Sequence, residues 1–272
     1  MTNHQGDFPL LFELTDGIAT ITLNRPEAGN SLNPALLGAL TNAWRRVEAD
    51  DAIKVAIITG AGERHFCTGA DVSGLKVGMG GLQNQPYAVA NQFSPRMAKV
   101  SKPVICAVNG LVNGGGLHFV ADSDIVVAVA GCELMDTHVS VGQVSALESQ
   151  GIARRAGIGA AMLMALTGRA YRMSATRAWT LGAIDLLEPG IPELTAAVRR
   201  IAEAISENSP QALALTKRAI WATTEMSDPA ASEYGWELLK SHWSHPDFEE
   251  GPRAFSERRK AVWDPDPNAT RR

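Results

Sequence analysis

The sequence predicts an α/β protein, with a parallel sheet covered on both faces over roughly the first 150 residues and a helical region after it. Three observations predict it. The runs VAIITG (55–60), PVICAVNG (103–110) and DIVVAVAG (124–131) are short and apolar, as strands buried on both faces are. Segments with helical signals lie between them. From about residue 153 onward the signals are helical.

Each element has its own reason. GIATITLNR (17–25) alternates, is rich in β-branched residues and ends at Pro26, which reads as a strand. In residues 32–50, Leu36, Leu37, Leu40, Ala43, Trp44 and Val47 recur at helical spacing. Residues 72–86 hold four glycines and one proline with little periodicity, so a mobile loop is expected there. A helix is expected over about 87–99, then the strand 103–110, the glycine run NGGG and a short helix. The run 124–131 and CELMD (132–136) are further strands. Ser174 is placed to cap a helix running through Leu181, with Gly182 as its stop. Pro192 opens a helix to about 206, and Pro210 opens one to about 226. Helical segments at 229–242 and 251–262 follow, and the tail DPDPNATRR is expected to be disordered.

Composition narrows the function. Hydrophobic residues make up 45% and charged residues 20%, the profile of a globular protein. The net charge is −4 without a basic stripe, which argues against nucleic acid as the main partner. No run approaches the roughly 18 apolar residues of a membrane helix. The N-terminal segment has no positive n-region and no long apolar h-region, so a cytoplasmic location is expected. Cys67, Cys106 and Cys132 read as buried thiols of a reducing compartment, with Cys67, in a glycine-containing turn, the one candidate nucleophile.

The glycine run at 114–116 is not a nucleotide motif. Gly110 and Gly115 have P-loop spacing, but Gly116 and Leu117 stand where Lys and Ser/Thr are required. Gly60-Ala61-Gly62 is followed by His65 where a dinucleotide fingerprint needs its third glycine. Bare backbone after a strand and before a helix suits a different task. Its N–H groups can meet a carbonyl oxygen that becomes negative during reaction. RHFCTGADVSGL (64–75) supplies a second such turn, also after a buried strand.

At this point the chain resembles the enoyl-CoA hydratase/isomerase (crotonase) superfamily. The resemblance is carried by ITLNRPEAGNSLN (21–33), IITGAGERHFCTGADVSGL (57–75) and KPVICAVNGLVNGGGLHFVADSDIVVA (102–128). It continues in LTGRAYRMSATRAWTLGAIDLLEP (166–189) and HPDFEEGPRAFSERRKAVW (245–263). The resemblance implies a crotonase-like spiral of ββα units over 1–195, a helical region for oligomerisation and site closure over 196–264, and a tail at 265–272. It implies a homotrimer or a dimer of trimers, an acyl-CoA thioester as substrate, and coenzyme A only as part of that substrate. It places the two N–H groups of an oxyanion hole on Ala70 and Gly115. It sets Glu27, Ala28, Asp71 and Val72 along the coenzyme A, with Phe255 and Lys260 closing that site.

The departures from the family pattern are specific. The two positions where a hydratase carries its proton-moving glutamates hold His118 and His138. Either the imidazoles form the acid/base pair or shape a different acyl site, or each is a hydrogen-bonded polar residue and ordinary hydration is lost. Glu148 is a further candidate carboxylate, displaced by about two residues from an acidic position of some members, and Asp136 a weaker one. No metal is expected, because the histidines lack a third ligand at recognisable spacing. His65, His242 and His245 are read as solvated. The expected function is an acyl-CoA thioester enzyme of the hydratase/isomerase type. The alternative is a non-catalytic acyl-CoA binder on the same fold.

Overall fold

The structure is a computed structural model, and it describes residues 8–71, 86–266 and 269–270. A six-stranded sheet forms the centre, in the order β1-β2-β3-β5-β7-β10. Its members are β1 (Leu10–Thr15), β2 (Ile18–Leu23), β3 (Val55–Gly60), β5 (Val104–Val108), β7 (Ile125–Val129) and β10 (Leu186–Glu188). β1 and β2 pair antiparallel, and every later pairing is parallel. The strands β3, β5 and β7 are buried along nearly their whole length, which explains their unbroken apolar sequences.

A second sheet, β4-β6-β8-β9, consists of β4 (His65–Cys67), β6 (Leu111–Asn113), β8 (Glu133–Met135) and β9 (Met173–Ser174). Chain order therefore alternates between the sheets: β3 is followed by β4, β5 by β6, and β7 by β8. Each pair ends where the second sheet ends, and those ends lie side by side through the parallel pairings β4–β6 and β6–β8. This is the spiral that the resemblance implied, and it is what collects the glycine turns at one place.

The helices follow the expected signals with some corrections. α1 (Pro34–Ala49) buries Leu36, Leu40, Ala43, Trp44 and Val47, and Asn33 caps it by accepting from the Leu36 N–H at 2.9 Å. The helix expected over 87–99 is a single turn, α2 (Tyr87–Ala90), followed by turns to residue 99. Pro95 has no N–H to give, and Lys99 turns into the left-handed region at φ 58°. α3 (Leu117–Asp122) is the short helix after the glycine run. α4 (Leu147–Ala156) begins before residue 153, and α5 (Ile158–Thr167) follows it across Gly157.

Ser174 caps α6 (Ala175–Thr180) as expected, and Gly182 sits at φ 84° just beyond it. α7 (Ile191–Ser206) lays Leu194, Ala197, Val198 and Ala202 against the central sheet, so the boundary expected at 195/196 falls inside one helix. α8 (Pro210–Ala222) stops short of 226 because Thr223 and Thr224 tighten into i→i−3 turns. α9 (Asp228–His242) and α10 (Asp247–Glu257) complete the order, and Arg258 ends α10 at φ 53°. Part of the tail expected to be disordered is tied down. The Asp264 N–H donates to Asp247 at 2.8 Å, and the Asp266 carbonyl lies 3.1 Å from His245 Nε2. Residues 267, 268, 271 and 272, and residues 72–85 of the loop expected over 72–86, lie outside the described residues.

Two sequence readings need correction here. His245 is fully buried rather than solvated, and half-buried His242 meets Gln211 at 2.6 Å through Nδ1. Cys67 is buried, and burial pushes its thiol up to about 12, so it is not an activated nucleophile.

Candidate active site

Two turns build the backbone half of the site. After β4 the chain passes through Gly69 at φ 86° to Ala70. The Leu32 N–H donates to the Gly69 carbonyl at 2.8 Å, and the Asp71 N–H donates to the Leu32 carbonyl at 3.0 Å. These two bonds bracket Ala70 and leave its own N–H outside the bridge. After β6 the chain makes a 3₁₀ turn, Gly114–Gly116, that leads directly into α3. Gly115 falls in this opening turn, where an N–H has no partner within the helix.

The turns touch, and only glycine lets them. A Cβ on Gly69 would lie 3.0 Å from the Gly115 nitrogen and 2.9 Å from the Asn113 carbonyl oxygen. A Cβ on Gly115 would lie 3.8 Å from the Ala70 nitrogen. A Cβ on Gly116 would press to 2.5 Å from the Cys67 carbonyl oxygen. Asn113 stitches the turns together by donating to the Thr68 carbonyl at 3.1 Å and the Thr137 hydroxyl at 3.0 Å. The Ala70 and Gly115 N–H groups expected from the sequence are therefore neighbours.

The side-chain half comes from three other elements. His118 lies on α3, buried, with its ring edge-on to Phe93 at 5.2 Å. His138 follows β8, and a Cβ on Gly114 would sit 3.2 Å from its Cε1, so the ring faces the glycine turn. Glu148 lies in the first turn of α4, where the helix dipole favours a carboxylate. Its Oε1 is 3.4 Å from His118 Nε2 and 3.9 Å from His138 Nε2. One carboxylate oxygen thus stands between two imidazoles.

Each imidazole has a second carboxylate behind it. His118 Nδ1 is 3.8 Å from Asp122, one helical turn away, and Asp122 in turn accepts from Ser94 at 2.6 Å and meets Arg154 at 3.4 Å. His138 Nδ1 is 2.7 Å from Asp136, which is fully buried and also accepts from the His138 N–H and the Ser145 hydroxyl. Asp136 therefore stands behind His138 and not among the groups that surround Glu148. Asp122 is a residue that sequence reasoning missed. Its signal was present as an i, i+4 histidine–aspartate pair on a helix.

Electrostatics follows from these contacts. Burial disfavours the His118 cation and is the largest single influence on it. The hydrogen bonds and charges of Asp122 and Glu148 outweigh that influence and push His118 up to about 9. His138 is raised above its usual range, chiefly by its bond to Asp136 and against partial burial. Burial pulls the Glu148 carboxyl upward, but His118 and then His138 hold it below the usual carboxylate range. Asp122 and Asp136 are lowered in the same way, against burial, by their histidines and serines. At neutral pH the site holds a fixed cation at His118 and an ionised Glu148.

The residues expected along coenzyme A divide. Glu27 and Ala28 lie in a 3₁₀ turn, Pro26–Ala28, beside Arg25. Arg25 reaches Asp71 at 2.8 Å and the Ser31 carbonyl at 2.6 Å, so the 25–31 segment and the GAD turn form one edge of the site. Val72 lies outside the described residues. Phe255 and Lys260 are not part of this cluster. They are 88% and 91% exposed, and Lys260 Nζ lies 3.4 Å from Glu207 beyond the end of α7.

Comparison with known proteins agrees with the fold. The enoyl-CoA hydratase/isomerase family profile matches residues 13–266. The chain is 34% identical over 256 residues to an (E)-benzylidenesuccinyl-CoA hydratase of Thauera aromatica, covering 92% of this chain and 97% of the relative. It is 30% identical over 254 residues to a short-chain-enoyl-CoA hydratase of Clostridium acetobutylicum, covering 92% and 95%. Among solved structures, an enoyl-CoA hydratase/isomerase from Mycobacterium paratuberculosis superimposes with a TM-score of 0.86 at 32% identity, covering 96% of this chain and all of that one.

Proposed function

The chain belongs to the enoyl-CoA hydratase/isomerase family, whose members act on CoA thioesters, and from that premise we propose that it hydrates an α,β-unsaturated acyl-CoA with Glu148 and His138 as its proton-moving groups. The observation that carries the reading is the position of Glu148. Its Oε1 lies 3.4 Å from His118 Nε2 and 3.9 Å from His138 Nε2, and the His138 ring lies against the turn that holds Gly115. The loss of glutamate at the positions of His118 and His138 is thereby offset by a carboxylate from α4. The hydratase names of the two sequence relatives support water addition over a double-bond shift.

The steps balance as follows. The Ala70 and Gly115 N–H groups receive the thioester oxygen, and the Arg25–Asp71 edge with Glu27, Ala28 and Val72 receives the coenzyme A. Glu148 takes a proton from water as the water oxygen bonds to the β-carbon. The α,β π electrons move towards the thioester oxygen, where the two N–H groups stabilise the enolate; losing one such donor costs about 3–4 kcal/mol in comparable sites. His138 Nε2 delivers a proton to the α-carbon, and the electrons return to form the C–H bond. His118 touches neither carbon in this scheme. Its positive charge keeps Glu148 ionised between turnovers. Phe255 and Lys260 close the coenzyme A site within a trimer or a dimer of trimers.

A panel of CoA esters in H₂¹⁸O, read by mass spectrometry, tests the proposal. Enoyl esters are expected to gain one labelled water, whereas a double-bond shift leaves the mass unchanged and hydrolysis releases free coenzyme A. Saturable binding with every ester unchanged would establish a binder and overturn the reading. The pH profile gives a second expectation. Glu148 is needed ionised and is held below 4.5, so the acid limb of kcat/KM falls below that value. His138 is needed protonated and is raised above 6.5, so activity declines as pH rises through a midpoint above 6.5. Steady-state rates across the pH range check both limbs.

A further inference from the structure

Asp136 sits at the end of β8, fully buried, and its carboxylate has no Arg or Lys partner among the described residues. Its oxygens receive the His138 N–H at 2.9 Å, His138 Nδ1 at 2.7 Å and the Ser145 hydroxyl. An ionised carboxylate only accepts, so Nδ1 is the ring atom that carries hydrogen. That leaves Nε2 as the free face of the ring, and Nε2 is the atom 3.9 Å from Glu148. Ser145 continues the connection. Its hydroxyl also meets Ser149 at 2.6 Å, and Ser149 is the residue after Glu148 on α4.

We propose that Asp136 is a positioning residue of this active site: it fixes the His138 ring through Nδ1 and, through Ser145, anchors the segment that carries Glu148. One buried carboxylate thereby aligns both proton-moving groups. The inference rests on the reading of His138 and Glu148 given above. It adds a polar connection between the end of β8 and α4, running from Asp136 through Ser145 to Ser149. The charged and titratable groups that act on His138 are Asp136 at Nδ1, Glu148 at Nε2 and the more distant His118.

Histidine-labelled protein, followed by NMR through a pH titration and assigned with His138→Gln, tests the proposal without requiring turnover. Neutral His138 in the unaltered protein is expected as the Nδ1–H tautomer, and an Nε2–H tautomer would overturn the proposal. Asp136→Asn is expected to lower the His138 midpoint and shift the alkaline limb of kcat by the same amount. It is also expected to lower kcat on the order of 100-fold, the low end for loss of a working general acid, with KM unchanged. Ser145→Ala, which keeps the Asp136–His138 bond, is expected to lower kcat while leaving the midpoint in place. An Asp136→Asn protein with unaltered tautomer and midpoint overturns the proposal. If that variant does not fold, the tautomer of the unaltered protein and the Ser145→Ala result decide. If no CoA ester is turned over at all, the functional reading fails, and the tautomer still stands or falls by its own measurement.

Discussion

Replacing Glu148 with glutamine is expected to lower kcat about 1000-fold, mid-range for loss of a general acid–base group, while the Kd for a CoA ester changes little. Glutamine keeps the size of the side chain and its ability to accept from an imidazole, so the pocket stays filled. It removes the negative charge that sits 3.4 Å from His118 Nε2. Two consequences are then measurable. Water addition slows by that factor, as read by mass spectrometry. The His118 midpoint drops from about 9, because one of the two carboxylates that raise it is gone. The sign of the stability change follows. The stabilisation that the His118 charge gives the fold is fully present below 6.5 and is lost as pH rises through about 9. The glutamine variant therefore shows a smaller fall in Tm across that interval than the unaltered protein. A Glu148→Gln enzyme within tenfold of full activity would exclude Glu148 as the base.

Gly69→Ala is expected to cost about 100- to 1000-fold in kcat, the loss measured when one oxyanion donor is removed. The new methyl group would stand 3.0 Å from the Gly115 nitrogen and 2.9 Å from the Asn113 carbonyl oxygen, both backbone atoms. The residue would also be held at φ 86°, where a Cβ costs about 1–2 kcal/mol. The two turns must therefore separate, and both N–H groups move with them. Gly131→Ala is the matched control. A Cβ there meets nothing within 4 Å and its φ is not positive, so activity and Tm stay unchanged. Equal kinetics for the two variants would show that the turns do not hold the reacting oxygen.

How far the sequence revealed this molecule depended on burial and on distance along the chain. β3, β5 and β7 were legible because parallel strands covered on both faces have to be apolar throughout. β1 went unseen because it is an edge strand whose second half is exposed, and β9 and β10 because they are two and three residues long. The span 91–99 read as helical because its composition carries no strong stop before Pro95. In the site, the glycine turns were legible because two of them, 64–75 and 113–116, each follow a buried strand. Glu148 was legible as a candidate residue. Its convergence with His118 and His138 was not, because three separate elements bring those side chains together. Asp136 was read only as a weaker candidate carboxylate. It stands behind His138, 2.7 Å from Nδ1, a contact that chain order alone does not announce.

The shared Glu148 oxygen also bears on where product hydrogens come from. In the proposed hydration, Glu148 ends one water addition holding a hydrogen taken from water, and His138 has given one up. The two groups are 3.9 Å apart, too far for a direct hydrogen bond, so the hydrogen returns from the carboxyl to the imidazole by way of solvent. Both side chains are partly exposed, 21% and 14%, so solvent completes the return to the resting state. In the proposed hydration the α-carbon of the product therefore carries a solvent-derived hydrogen delivered by His138, on the carbon next to the one that receives the hydroxyl.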